Sequence, residues 1–520
     1  MLIYVLLIVV LLVVSAIFCV EQRARKPKCK CDGCAGKKSC GENGSCGGKK
    51  KDSSGEHSKE HKKHDIPPTD GPFFIKPTVQ LGTRHGVTNG GLEVVWSAMD
   101  EAAVTWSARA RSTDSGGFVK ADVSRNPIPV FDKVPAHVQF RALLNDLTIG
   151  AQFTYEILRN DIVVFTASAT MIKPRGSALR VVAFGDFGEG NPGSAKVVYQ
   201  ALDYKPEMLV VPGDWAYKRG RLSEYLQYVY PVINNDQRDI AKGGPLLRST
   251  LTVSCTGNHC VGRPNFTDVP NLDNHGDLFA YFYQWSQPLN GPFVGGGRNS
   301  PMLLGDQARQ DNVTQASGGR YPRMSNYSFD NGDVHWLFLD SNVYMDWTSE
   351  DLRDWVRHDL SSCSARWKIV VFHHPSFTSH TRHKPESRMR LIADILQEMR
   401  VDMCIVGHAH WYERTYPLKF ELDKGKPIDP TGAIEGKIEI DRQFDGIGNT
   451  RPNGIIYLVT GAGGASLHHT AAPGTGTEPF TYKLAATKHS FTVIDFEGLS
   501  MTVRQISEDN EELDRFTVIK

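Results

Sequence analysis

The sequence predicts an α/β protein: a layered β-sandwich core flanked by helices, preceded by an all-β sandwich. Three observations lead there. From residue 178 onward, apolar runs alternate with amphipathic stretches, as in "LRVVAF" then "SAKVVYQALDYK", the pattern of buried strands covered by helices. Residues 71–175 hold short segments of period two instead, separated by turn residues. Five short stretches rich in Gly, Asp, Asn and His each begin where one of the later apolar runs stops.

Taken in order, the 520 residues suit about two or three structural units. The net charge of +1, with lysines and arginines not massed in the body, predicts no nucleic-acid partner. Residues 1–20, "MLIYVLLIVVLLVVSAIFCV", are almost continuously apolar. The run exceeds the roughly 7–15 residues of a secretory h-region and lacks a basic start. Its length approaches a membrane span, so it reads as a transmembrane anchor or a signal peptide, and the membrane is an expected partner through it. Arg23, Arg25, Lys26 and Lys28 follow the span and favour a cytoplasmic end. Glycosylation-type triplets at Asn43, Asn265, Asn312 and Asn326 favour the opposite side.

Residues 21–70 form a stalk rich in Cys, Lys and Gly, with nothing to build a core. Cys19, Cys29, Cys31, Cys34, Cys40 and Cys46 lie within or before it. They read as a disulfide knot, a small metal clasp or adventitious thiols on a solvated linker; no repeated CxxC pair supports zinc. Cys404 sits in an apolar run and reads as a small buried hydrophobe.

In residues 71–175 the strands are "GLEVVWSA", "AAVTWSARA", "HVQFRALL", "AQFTYEIL" and "IVVFTASATM". β-branched and aromatic residues recur there in period two, with turns such as "TNGG" between them. Residues 178–520 form the second unit, whose helical segments repeat apolar residues at three and four. The insert "PFVGGGRNSPMLLGDQARQDNVTQASGGRYPRM" is expected to be a substrate-facing or lid loop.

The chemistry lies at the strand ends. "VVAF" runs into Gly185-Asp186-Phe187-Gly188, and "MLVVP" into Gly213-Asp214-Trp215-Ala216-Tyr217. "STLTVSCT" runs into Gly257-Asn258-His259, "KIVVF" into His373-His374-Pro375, and "MCIV" into Gly407-His408-Ala409-His410. Carboxyl ends of strands in α/β sheets open onto one crevice, so these loops are expected to converge. Taken singly, each piece has an ordinary reading: an Asp caps a helix, an Asn-His pair makes a turn, a Tyr packs. Together, carboxylate, phenolate, amide oxygen and imidazole make a ligand set for two adjacent cations, one carboxylate bridging them to relieve their repulsion.

In this order the blocks resemble the DxG, GDxxY, GNH, VxxH and GHxH motifs of the purple acid phosphatases, within the calcineurin-like metallophosphoesterases. The run "LNDLTIGAQFTYEILRND" resembles a fibronectin type III module. The resemblance covers about 450 residues and implies a role for each matching position. Asp186, Asp214, Tyr217 and His410 would hold the first metal, and Asp214, Asn258, His373 and His408 the second. His373 is preferred to His374 by its register from Val370. The hard anionic set suits Fe(III), the imidazole and amide set a divalent Zn, Mn or Fe. The resemblance also implies catalytic roles for His259, which would contact the phosphate, and His383, which would protonate the leaving group; His380 is the alternative to His383. The family usually has an acidic residue after GNH, where this chain has Cys260, which puts the orientation of His259 in question.

The expected function is an acid phosphatase hydrolysing phosphate monoesters of small molecules, with a metal-bound hydroxide as nucleophile. The resemblance places it on the lumenal or extracellular side, membrane-anchored or secreted. The alternatives are a phosphodiesterase or nucleotide pyrophosphatase on the same metal core, or a non-catalytic surface binding protein.

Overall fold

Alternation along the strands decides the layering. In the strand Leu179–Ala183 and its neighbours Met208–Val211 and Leu251–Ser254, one set of side chains (Val181, Ala183, Met208, Val210, Leu251, Val253) faces a second sheet. That sheet answers with Trp336, Phe338, Ile369, Val371, Met403, Ile405 and Leu458. On the other face of the first sheet, Val182, Leu209 and Val211 pack on Val197, Val198 and Ala201 of the helix Pro192–Ala201. The outer face of the second sheet sets Leu337, Val370, Cys404 and Val406 against Leu352, Val356 and Leu360 of the helix Glu350–Ser362. The result is four layers: helix, sheet, sheet, helix. Each buried aliphatic side chain contributes about 1.5–3 kcal/mol, and both faces of these strands are covered, which is why they read as unbroken apolar runs.

The structure, a computed structural model, describes residues 71–520 apart from 84–90, 115, 146, 293–297, 427, 429–431 and 469–476. The expected anchor or signal peptide (1–20) and stalk (21–70) lie outside the described residues. No helix among the described residues is long and apolar enough to cross a membrane.

The first sheet has ten strands and the second seven. In the first, Met208–Val211 lies between Leu179–Ala183 and Leu251–Ser254, parallel to both. In the second, Val334–Phe338, Trp367–Val371, Met403–Val406 and Ile456–Thr460 run parallel in that order. The carboxyl ends of the motif-bearing strands therefore share one edge within each sheet.

The region before residue 175 is all-β. Trp106–Ser112, Val119–Lys120, Gln152–Arg159 and Ile162–Thr170 make a four-stranded sheet. The strands Ile75–Gln80, Leu92–Ala98, His137–Leu144 and Asp122–Ile128 do not close a second separate sheet. They extend the ten-stranded one through the parallel pairing of Gln80 with Thr252. Asp122–Ile128 is a strand the pattern did not predict. It is a mostly exposed edge strand carrying Pro127, and an edge tolerates the missing donor.

The insert expected as a substrate-facing loop differs from expectation in its described part. It forms a helix, Gln307–Ser317, whose N-cap Asp306 accepts a hydrogen bond from Ala308 N at 2.9 Å. The helix docks on the all-β region: Asn126 Nδ2 donates to Ala316 O at 2.8 Å, and Arg309 pairs with Asp132 at 3.0 Å. Among the glycosylation-type triplets, Asn265 is exposed, but Asn326 is buried and its amide oxygen accepts from Asp340 N at 2.8 Å. Asn326 is therefore closed to glycan attachment in the folded chain.

A titratable clamp ties the outer helix to the second sheet. His335 on the strand Val334–Phe338 is held between Asp330, 2.7 Å from Nδ1, and Asp359 of the helix, 2.8 Å from Nε2. Burial alone would depress this imidazole, but hydrogen bonds and charge from the two carboxylates outweigh it and raise His335 to about 9. The stability it contributes is fully present below a free histidine's pKa of about 6.5 and is lost as pH rises through about 9. The melting temperature of wild type is thus expected to fall by a few degrees between pH 7 and 10 relative to His335→Gln. Parallel pH profiles would count against the clamp.

Candidate metal centre

Glycines at the strand ends let five loops meet. A Cβ at Gly257 would stand 2.1 Å from Asp214 Oδ1, and one at Gly407 would stand 2.6 Å from Asp186 Oδ2. Only glycine permits such an approach. The backbone also bends unusually at the functional residues. Asp186, Asp214 and His408 have φ of 57°, 48° and 69°, a left-handed conformation in which L-residues are uncommon and which clusters at functional sites.

The convergence produces two overlapping donor sets. In one, Tyr217 OH lies 2.8 Å from Asp186 Oδ1, 3.4 Å from Asp214 Oδ2 and 3.1 Å from His410 Nε2. In the other, His373 Nε2 lies 3.0 Å from Asp214 Oδ2, 3.0 Å from Asn258 Oδ1 and 3.2 Å from His408 Nδ1. Asp214 Oδ2 belongs to both. Asp186, Asp214, Tyr217, Asn258, His373 and His408 are buried, and His410 is half-buried.

The outer nitrogen of each of these histidines is already engaged. His373 Nδ1 donates to Pro212 O at 2.8 Å, His410 Nδ1 donates to Ser466 O at 2.7 Å, and His408 Nε2 donates to Glu386 Oε2. A neutral imidazole has one N–H, so the inner nitrogens of His408 and His410 present lone pairs, and that of His373 does so once it gives up the proton that Asp214 stabilises. Oxygen and nitrogen donor atoms thus crowd together around Asp214, where a cation can take the place of the protons on His373 Nε2 and Tyr217 OH. The donors fit metal ions in type, with carbonyls and a carboxylate fixing the imidazole tautomers from outside.

Electrostatics agree. Burial pushes the Asp186 carboxyl up to about 7, and neighbouring Asp214 adds to the rise against the pull of His373. Burial would raise Asp214 too, but His373 and then His259 hold it below the ordinary carboxylate range. Despite its burial, His373 is raised to about 9 by Asp214. The site attracts positive charge at the point where the second donor set closes.

Beside the donors stand the other predicted residues. His259 N donates to Asp214 Oδ1 at 2.9 Å, and its ring lies 4.3 Å from that of Tyr217. Its Nδ1 donates to Lys218 O at 2.5 Å, so a backbone carbonyl orients the ring where Cys260 offers no carboxylate. Cys260 itself is buried among apolar side chains. His374 stays beside the donors, its Nδ1 on Ser341 Oγ at 2.8 Å, its ring 4.5 Å from that of His408, and one ring nitrogen within 4.8 Å of ligand atoms of His408 and Glu386. The His383 ring lies 4.0 Å from that of His408, and its Nδ1 donates to Glu386 Oε2 at 3.1 Å.

Two participants escaped sequence reasoning. Glu386 receives both His383 and His408. Burial would raise its pKa, but the charges and hydrogen bonds of those histidines hold it well below the carboxylate range. Its signal was the spacing of three from His383. His468 lies far along the chain, and its ring stacks on that of His410 at 4.0 Å and 5°; only the pair "HH" at 468–469 marked it.

The chain is similar to several known proteins. The family profile "Calcineurin-like phosphoesterase" matches residues 179–412. Over 126 residues the chain is 33% identical to "Purple acid phosphatase 23" of Arabidopsis thaliana, covering 23% of this chain and 27% of that protein. Over 113 residues it is 34% identical to "Purple acid phosphatase 18" of the same plant, covering 21% and 24%. The matches span about a quarter of the length of these relatives. A solved structure described as "GAP50 the anchor in the inner membrane complex of Plasmodium" is similar at a TM-score of 0.40 and 12% identity, covering 66% of this chain and 89% of that one. Residues 179–412 thus carry a calcineurin-like metallophosphoesterase domain, and the chain is a homologue of the purple acid phosphatases.

Proposed function

We propose that this chain hydrolyses phosphate monoesters at a dinuclear centre of Fe(III) and a divalent Zn, Mn or Fe. The observation that carries the reading is the pair of donor sets sharing Asp214 Oδ2. Asp186, Asp214, Tyr217 and His410 would hold the ferric ion, whose hardness suits carboxylate and phenolate. Asp214, Asn258, His373 and His408 would hold the divalent ion. When bound, such a pair supplies Lewis acidity toward the phosphoryl oxygens and lowers the pKa of a water.

The chain's own groups do the rest. The Nδ1–H of His383 is tied to Glu386, which leaves Nε2 to carry a proton to the departing oxygen. Glu386 also holds His408, so the proton donor and the ligand are oriented by one carboxylate. His259, anchored on Lys218 O, stands across Tyr217 to steady charge on the phosphoryl group. A substrate phosphate would lie between these two imidazoles.

A visible spectrum with metal analysis tests the reading. Phenolate on ferric iron gives a strong charge-transfer band, so purified protein should be violet with about two metals per chain. Tyr217→Phe should abolish the band. A colourless, iron-free wild type would sink the ferric assignment.

A further inference from the structure

Three imidazoles stand at the mouth of the metal centre, beyond the two donor sets. His380 and His383 stack at 4.4 Å between ring centroids, His380 and His468 lie 4.4 Å apart, and His383 and His468 lie 5.3 Å apart. One ring nitrogen from each falls within 4.8 Å of the others. By composition this is a candidate cation site, but the hydrogen bonds argue otherwise. His410 N donates to His468 Nδ1 at 3.0 Å, and His383 N donates to His380 Nδ1 at 3.3 Å. Both Nδ1 atoms therefore hold lone pairs, and the single proton of each neutral ring sits on Nε2. A metal on Nε2 would need that proton gone and Nδ1 protonated against a backbone N–H. The metal-centre histidines show the reverse arrangement, with their outer nitrogens donating.

We propose that His380 and His468 are substrate-positioning donors whose Nε2–H groups bind a second phosphoryl group, carried by the leaving side of the substrate. Among the described residues, no hydrogen bond engages either Nε2. The pair lies beside His383, the proton donor of the proposed reaction, and His468 stacks on His410, so the donors flank the path of the leaving group. Arg382 is close enough to His380 to depress its pKa, after burial and the neighbouring histidines. A subsite offering only donors is matched by an acceptor-only group. A phosphoryl group meets that condition, whereas a sugar hydroxyl brings a donor of its own.

The inference rests on the phosphatase reading of the metal centre. With inorganic pyrophosphate, a water oxygen bonds to one phosphorus and the bridging P–O bond breaks. His383 gives its proton to the departing phosphate, and the proton of the attacking water restores the imidazolium. Two orthophosphates result from one water.

The test compares the metal-loaded enzyme on pyrophosphate and on phenyl phosphate, whose leaving group carries no acceptor beyond the ester oxygen. In His468→Leu the ratio of KM for pyrophosphate to KM for phenyl phosphate should rise roughly tenfold, the scale of one hydrogen bond to an anion. His468→Gln, which retains an N–H at that reach, should recover part of it. His380→Leu is the independent second variant. Calorimetry with methylenediphosphonate against phenylphosphonate reads the same preference without turnover. An enzyme that binds the diphosphonate selectively but hydrolyses nothing would overturn the phosphatase reading and support the subsite. An unchanged ratio in both Leu variants overturns the subsite, as does a third zinc equivalent that His468→Leu abolishes.

Discussion

Asp214→Asn should leave a folded protein with neither metal and with turnover reduced by about 10⁴-fold or more, the scale expected when a bridging ligand is lost. The side chain keeps its shape and loses its charge, so packing is not the variable. Asp214 Oδ2 is the one oxygen common to both donor sets, 3.4 Å from Tyr217 OH and 3.0 Å from His373 Nε2. Two cations held side by side repel strongly where water is excluded, and a shared negative oxygen is what offsets it. An amide cannot provide that charge. The contrast is His383→Ala, which touches neither set through a ligand atom: it should keep both metals and lose about 10²–10⁴-fold in rate, the usual range for a general acid. Metal analysis beside steady-state kinetics decides between them. An Asp214→Asn protein with a full metal complement would remove the bridge from the account.

Gly257→Ala should be nearly as damaging with a far smaller chemical change. A Cβ there meets Asp214 Oδ1 at 2.1 Å and the Asp214 backbone nitrogen at 2.6 Å. The carboxylate could swing away, but the backbone atom cannot. The loop must move, and Asn258, the next residue and a donor of the second set, moves with it. Overpacking of this kind costs about 1–3 kcal/mol in stability, so melting should drop by several degrees, and metal bound by the second donor set should be lost. Gly116→Ala is the control, since nothing lies within 4 Å of its added carbon; it should change neither melting nor metal content. A Gly257→Ala enzyme within tenfold of wild-type rate would show that the close approach is not required.

The strands that build the site were legible because they are buried on both faces. "MLVV" and "MCIV" appear as Met208–Val211 and Met403–Val406 with every residue buried, and no polar side chain blurs the run. Less legible were elements whose neighbours lie elsewhere. Asp122–Ile128 carries no apolar alternation because it is an edge, whereas the amphipathic stretch "SEYLQYVYPVIN" is helical through Ile233 and differs only in widening to a π-helical turn at Tyr225–Val229, just before Pro231, which has no N–H to give. The helix Gln307–Ser317 has too few apolar residues to announce itself: only Val313, Ala316 and Ser317 are buried.

By itself the sequence determined which residue types reach the ends of which strands, because period-two burial and the glycines that end each run are local properties. Tertiary structure alone decided which nitrogen of each histidine is engaged. The outer nitrogen of His373 is held by Pro212 O, 161 residues away in sequence, and that of His410 by Ser466 O, 56 away. Glu386 acquires its place only where His383 and His408 meet. His468 became a neighbour of the centre through the loop that follows Ile456–Thr460. An imidazole is a ligand or a donor according to which of its nitrogens is already engaged, and that partner comes from parts of the chain that only folding brings near.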